Sequence, residues 1–155
     1  MIKILERRHC RRWVADLKAE MFARWVRTAS DRRLESVMGS RFRGVLLWQI
    51  FRTMRQRAQL DPRVNAVVEF GITGRRGGGI DRYQLIVTDG RCRTSRAGGL
   101  KPALTLELEP VAFLCLVGGR TSPQRLLILR KLRLRGDLRL ALALPTALRL
   151  PRRRL

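Results

Sequence analysis

The sequence predicts an α+β domain: helices over one face of a five-stranded, mostly antiparallel sheet, with a helical arm ahead of it. Three observations carry that expectation. Apolar residues recur at helical spacing through the first sixty residues. Between residues 66 and 109 the period becomes two, with turn residues between the runs. In the last third, Pro110 and Pro123 stand where helices begin, and Gly118-Gly119 stands where the first of them ends. Elements grouped in this way sort into layers, with the helices together on the sheet.

The first element is the arm, residues 1–28. Within it CRRWVADLKAEMFARWVRT (10–28) places Trp13, Val14, Leu17, Met21 and Trp25, with Phe22 beside them, on one stripe. Arg12, Lys18, Arg24 and Arg27 point mostly elsewhere. A basic amphipathic helix of this kind suits a membrane interface. More often such a stripe docks on its own domain or on a second copy of the chain. The domain itself is expected over residues 29–150, and PRRRL is a basic tail at 151–155. Ser30 and Ser40 are N-cap residue types, giving a short helix over 31–38 and a longer one over 41–59. The longer one carries Val45, Leu46, Trp48, Ile50, Phe51 and Met54 opposite Arg52, Arg55 and Arg57, until Asp61-Pro62 stops it.

Strands follow. AVVEFGITG (66–74) alternates Val68, Phe70 and Ile72 with Glu69 and Thr73; RRGGG (75–79) is a loop. DRYQLIVTDG (81–90) is a second strand ending in an Asp-Gly turn, and RCRTSR (91–96) an exposed third, so the three form an antiparallel meander. TLELE (105–109) is the fourth. Pro110 then opens a helix through VAFLCLV, closed by Gly118-Gly119. Ser122-Pro123 opens the short helical QRLLIL. KLRLRGDLRLALAL (131–144) alternates throughout, yet its partners change at Gly136-Asp137. Arginines before the break suit a half-buried strand. Alanines after it, behind an Asp N-cap, suit a helix from 138 that Pro145 stops or kinks.

Charge and composition bound the function. The chain has 155 residues, 34 basic and 12 acidic, for a net charge of +22. Thirty of the bases are arginine, and the excess sits at the ends. Residues 1–60 carry 15 bases and 5 acids, and residues 120–155 carry 11 and 1, while the middle is close to neutral. Such charge fits anionic surroundings, either acidic lipid or nucleic acid. The three cysteines are widely spaced, which argues against a disulfide framework and against zinc, and Cys115 in FLCLV reads as a buried small apolar residue. His9 is the sole histidine and lies away from any acid or thiol that would complete a catalytic set. Glu107 and Glu109 alternate with leucines and read as solvated. GRRGGG and AGGLK lack the Lys-Ser/Thr ending of a phosphate loop. No catalytic residue, no metal and no cofactor is therefore expected. The N-terminus has no apolar run of signal-peptide length, so the expected place is the cytoplasm, with peripheral contact at the inner membrane face.

The leucines at 138, 140, 142, 144 and 148 fall around most of a helix circumference, with Arg139 the only charge among them. A helix apolar all round must be covered on all sides, by a partner, a neighbouring copy or an apolar ligand.

From about residue 64 to 148 the chain resembles the sterol carrier protein 2 (SCP2) lipid-transfer domains. The resemblance is carried by the strand ending in Asp89-Gly90, by Pro102 before ALTLELE, and by VAFLCLVGG. It continues in Pro123, Lys131-Leu132, Leu134, Gly136-Asp137 and LRLALAL, with the spacing from Pro123 to Asp137 kept without a gap. Arg130 stands where the family usually has glycine, Ala103 where aspartate is common, and Leu127 where phenylalanine is usual. The resemblance implies a five-stranded sheet, helices over one face and an apolar tunnel between them. It further implies non-enzymatic carriage of a fatty acid, acyl-CoA, sterol-like or isoprenoid lipid. Lipid-facing candidates on the strands are Phe70, Leu85, Val87 and Leu106. On the helices they are Phe113, Leu114, Val117, Leu126, Leu127, Leu140, Leu144 and Leu148. Expected partners are the apolar lipid, an anionic membrane met through the basic ends, and a second copy of the chain. The rival reading is a basic nucleic-acid- or ribosome-associated protein; its aromatics are few, mostly on apolar stripes, and no recognition motif accompanies the charge. A lipid-handling accessory subunit of a quinone or lipid biosynthesis complex is the remaining alternative.

Overall fold

A computed structural model describes residues 17–96 and 99–150. His9, Trp13, Val14 and the tail 151–155 lie outside the described residues. Helix α1 covers residues 17–28. It is followed by α2 (Asp31–Met38), α3 (Arg43–Arg57), β1 (Ala66–Ile72), β2 (Asp81–Thr88), β3 (Arg91–Arg96) and β4 (Leu104–Leu108). Then come α4 (Pro110–Val117), α5 (Pro123–Ile128), β5 (Leu132–Gly136) and α6 (Leu138–Ala147). The strands form one sheet in the order β3-β2-β1-β4-β5. The expected meander is present, and β4 adds parallel to β1 while the other pairings are antiparallel.

Alternation gives the sheet two unlike faces. Val68, Phe70 and Ile72 of β1, Tyr83, Leu85 and Val87 of β2, Leu104, Leu106 and Leu108 of β4 and Leu132 of β5 are buried under the helices. The opposite face carries Glu69, Arg82, Gln84, Arg93, Glu107, Arg133 and Arg135. Arg82 bridges Glu69 at 3.3 Å and Glu107 at 3.8 Å there. Glu107 is thus half-buried and paired, while Glu109 is exposed.

The turn chemistry explains why the elements stop where they do. Asp89 and Gly90 both have positive φ (51° and 75°), as a two-residue hairpin turn requires. Gly136 has φ 109°, and a Cβ there would overlap the carbonyl of Ala103. The next residue, Asp137, caps α6, its Oδ1 accepting from the amides of Arg139 (2.9 Å) and Leu140 (3.3 Å). Strand, turn and helix therefore succeed one another in 131–144 as expected. Ser30 and Ser122 cap α2 and α5 by accepting from the amides of Arg33 and Arg125.

Other expectations are corrected. Ser40 does not cap α3. Its hydroxyl donates to the Val37 carbonyl and accepts from the Phe42 amide, closing the end of α2, and α3 begins at Arg43. Arg43 cannot be solvated there. Its Nε donates to Asp81 Oδ2 (2.8 Å), and its Nη2 donates to the carbonyls of Ile72 (2.8 Å) and Thr73 (2.7 Å). The α1 stripe is turned: Leu17 and Met21 are exposed, and Ala19, Ala23 and Val26 are buried instead. Pro145 does not stop α6, which runs on to Ala147, where a proline removes one helical hydrogen bond. Within the chain, Leu138 and Leu142 of α6 are left exposed. Cys115 is half-buried rather than buried.

Residues 17–28 of the arm are thus packed into the core, and the contact is close because the residues are small. A Cβ on Gly118, at the end of α4, would lie 2.8 Å from Val26 Cβ. Gly118→Ala is expected to destabilise the protein by about 1–3 kcal/mol through overpacking. Adding Val26→Ala should return part of that loss in urea unfolding. An unchanged midpoint for Gly118→Ala would mean that α1 is not held against α4 in this way.

Candidate binding cavity

The helices do not close over the sheet completely. Between α1, α3, the end of α4 and the segment after α6 lies an apolar cavity of about 300 Å³. α1 contributes Lys18, Ala19, Met21 and Phe22, and α3 contributes Leu46, Gln49, Ile50, Thr53, Met54 and Arg57. Val117, Leu148 and Leu150 complete the lining. Apolar walls with a few polar groups are the usual make-up of a small-molecule site, though this volume is at the low end of the range of about 300–1,000 Å³.

A second void of about 20 Å³ lies deeper, against the sheet, lined by Phe70, Leu106, Leu132, Ala141 and Leu144 among others. The two share Met54, Val117, Leu148 and Leu150 as a common wall. The chain links this region together through its backbone as well: the Gln59 amide, just past α3, donates to the Ala147 carbonyl of α6 at 2.9 Å.

The sequence candidates divide accordingly. Val117 and Leu148 line both spaces, and Phe70, Leu106 and Leu144 line the deeper one. Leu85, Val87, Phe113 and Leu114 are buried but line neither; Phe113 instead stacks on Phe51 at 5.6 Å. Leu126 is buried beside a separate, polar groove that also holds Cys115, Arg120 and Lys131. Leu127 and Leu140 are only partly buried. Sequence reasoning missed the contribution of α1 and α3. The signal was present: Leu46, Gln49/Ile50, Thr53 and Arg57 repeat at helical spacing beside the buried row Leu47–Phe51–Met54, a second stripe that one packing face does not need.

The chemistry available is that of enclosure. Among the described residues no group of His, Cys, Asp or Glu could hold a metal ion. Burial pushes the Cys92 thiol up to about 11 from 9.0, against the opposing pull of nearby Arg55. The Cys115 thiol is also raised, by burial first, with Arg120 opposing. Neither is therefore a ready thiolate at neutral pH. No helix among the described residues is long and apolar enough to cross a membrane.

The family model described as "SCP-2 sterol transfer family" matches residues 48–149. No curated protein matches the chain. Among solved structures, one described as "UbiJ-SCP2 Ubiquinone synthesis protein" is 11% identical with a TM-score of 0.55, over 70% of this chain and 97% of that one. Palmitated SCP2L2 from Aedes aegypti is 18% identical with a TM-score of 0.50, over 64% and 90%. The inverting sec-alkylsulfatase Pisa1 from Pseudomonas sp. is 13% identical with a TM-score of 0.53, over 74% of this chain but only 17% of its own. These likenesses are likenesses of fold.

The thiols give a direct check on local packing. At pH 8 Cys92 should react with iodoacetamide many-fold more slowly in the folded protein than in urea, because its raised value leaves little thiolate. Equal rates would show that β3 does not bury it.

Proposed function

The chain belongs to the SCP-2 sterol transfer family, and from that premise we propose that it is a non-enzymatic carrier holding an apolar lipid in the cavity beneath α1 and α3. The observation that carries the reading is the cavity itself, whose walls are almost wholly apolar and whose inner wall adjoins a second void at the sheet. Burial contributes about 0.8 kcal/mol per methylene, so about ten methylenes supply the roughly 8 kcal/mol of a micromolar complex. An acyl or isoprenoid chain of at least that length is the expected cargo. The two bases at the cavity, Lys18 and Arg57, suit a lipid with an anionic head, a fatty acid before a sterol. Met54 is the inner wall most easily moved, since an unbranched thioether repacks readily. Its displacement would join the two spaces into one tunnel reaching Phe70 and Leu106.

A second reading, an accessory subunit presenting lipid to a biosynthetic enzyme, is supported by the length match to the ubiquinone-synthesis protein, of which this chain spans 97%. It uses the same cavity and differs only in what receives the cargo. Either role is read as cytoplasmic.

The test is displacement of a fluorescent long-chain fatty acid, with native mass spectrometry of the freshly purified protein. Binding is expected at micromolar level. Leu46→Trp together with Val117→Trp should fill the cavity and weaken binding at least about tenfold, the loss expected when one to two methylenes no longer fit. Leu85→Met, in the packed core, should leave binding unchanged. A folded protein that takes up no long-chain lipid in either measurement would end the carrier reading.

A further inference from the structure

The sheet ends on two edge strands, β3 and β5, and they are not alike. β3 reads RCRTSR and has no large apolar residue. β5 alternates Leu132 and Leu134, packed under the helices, with Arg133 and Arg135 on the uncovered face. Its outer side pairs with no strand. The Asp137 amide donates to the Ala103 carbonyl at 3.1 Å, and Arg135 and Arg133 stand opposite Thr105 and Glu107. The alternation of an antiparallel ladder therefore turns the Arg133 and Arg135 amides toward β4 and those of Leu134 and Gly136 outward. Such an edge is a template for another strand. Apolar side chains flank it at both ends: Ile128, 81% exposed, and Leu129 precede the strand, and Leu138, 50% exposed, follows it.

Charge decides which strand fits. Residues 128–139 hold five bases, and their one acid, Asp137, is taken up in capping α6. Arg133 stands 4.0 Å from Glu107 with its side chain 81% exposed, and Arg135 has no ion pair among the described residues. Two β5 strands paired antiparallel about Arg133, Leu134 or Arg135 would set arginine directly opposite arginine, which is destabilising. A second copy is therefore a poor partner. β4 shows what the complement looks like. On the inner side it meets this strand with Leu106 against Leu134 and Glu107 against Arg133. An extended segment that alternates apolar residues with carboxylates repeats those pairs on the outer side.

We propose that the outer edge of β5 takes up an extended segment of an acidic partner protein as an added strand. Its apolar side chains lie on the side of Leu134 and Leu138, and its carboxylates lie beside Arg133 and Arg135. Main-chain hydrogen bonds with Leu134 and Gly136 supply the attachment, and the alternation supplies the selection. The cavity takes no part, so this edge and the carrier reading stand or fail separately.

The experiment titrates the full chain with a strand-length synthetic peptide alternating valine and glutamate, blocked at both ends. On binding, hydrogen exchange at the Leu134 and Gly136 amides should slow, while exchange along β3 should not change. N-methylation of alternate peptide amides keeps the charge but prevents strand pairing, and should weaken binding about tenfold or more. Arg133→Gln/Arg135→Gln should weaken binding of the unmodified peptide about tenfold, the joint effect of two cross-strand charge pairs. Arg91→Gln/Arg93→Gln, an equal charge change on the other edge, should lose clearly less. Equal binding of the N-methylated peptide, or equal loss in the two variants, would overturn the proposal and leave only attraction to a basic protein. A folded protein that does not bind the peptide would overturn it too. So would equal slowing of the same two amides by a single-stranded oligonucleotide, a polyanion that adds no strand. Slow exchange at these amides in the free protein, with a dimer in sedimentation, would give the edge to a second copy and likewise overturn it.

Discussion

Phe51 is the contact on which the arrangement of the other elements depends. From the middle of α3 its ring stacks on Tyr83 of β2 at 4.4 Å and on Phe113 of α4 at 5.6 Å, and meets Phe70 of β1 edge-on at 5.5 Å. One side chain thus joins two helices and the two strands at the centre of the sheet. Aromatic pairs of this geometry add about 0.5–1.5 kcal/mol each beyond area burial. Because α3 is pinned over β1 and β2, the β4–β5 half of the sheet is left to α6. The gap between α3, the end of α6 and the overlying α1 is what remains as the cavity. Its position follows from the aromatic contact rather than from any residue that lines it.

Arginine is handled in three ways in this chain, and each leaves a different mark. Arg43 is buried and held by Asp81 and two carbonyls where β1 ends and β2 begins, so it locks the start of α3 to the ends of these interior strands. Its Nη1 finds no partner among the described residues, a site where a buried water is the ordinary remedy. Arg82 neutralises the two half-buried acids of the uncovered face. The remaining sheet arginines lie toward the two flanking strands, where charge also discourages edge-to-edge pairing. A large formal charge therefore does not imply one binding surface. It goes partly to the fold and partly to keeping strand edges apart.

The strands and the β1-β2-β3 meander were readable because period-two alternation and turn chemistry are local properties, whereas the parallel pairing of β4 with β1 is a long-range contact. Asp89-Gly90 and Gly136-Asp137 carry their backbone conformations in their residue types. Arg130 is the instructive departure. It stands where the family usually has glycine and does adopt φ 56°, so the backbone keeps the left-handed turn while the sequence no longer announces it. The α1 stripe was misread for a different reason. Amphipathicity favours the face with the largest residues, Leu17, Met21 and Trp25. The helix instead buries smaller residues, Ala19, Ala23 and Val26, and Val26 lies against Gly118. Size complementarity with a partner 92 positions away is not written in the helix itself.

The same limit separates the cavity from the core. Leu85, Leu114 and Leu148 are all apolar, inward and buried, yet only Leu148 borders open space. Whether an inward side chain meets an atom or a void depends on how far neighbouring helices are held apart, a long-range property that periodicity does not encode. What periodicity does encode is excess. α3 carries a buried row, a cavity row and an exposed row, more apolar positions than a helix packed on one side requires. α6 shows the same surplus in Leu138 and Leu142. In a domain with one core, a helix that is apolar beyond its packing face marks where a ligand or a surface completes it, and on α3 the cavity row and the exposed row lie side by side. On α1 the surplus is carried by Met21, which lines the cavity and yet stands exposed.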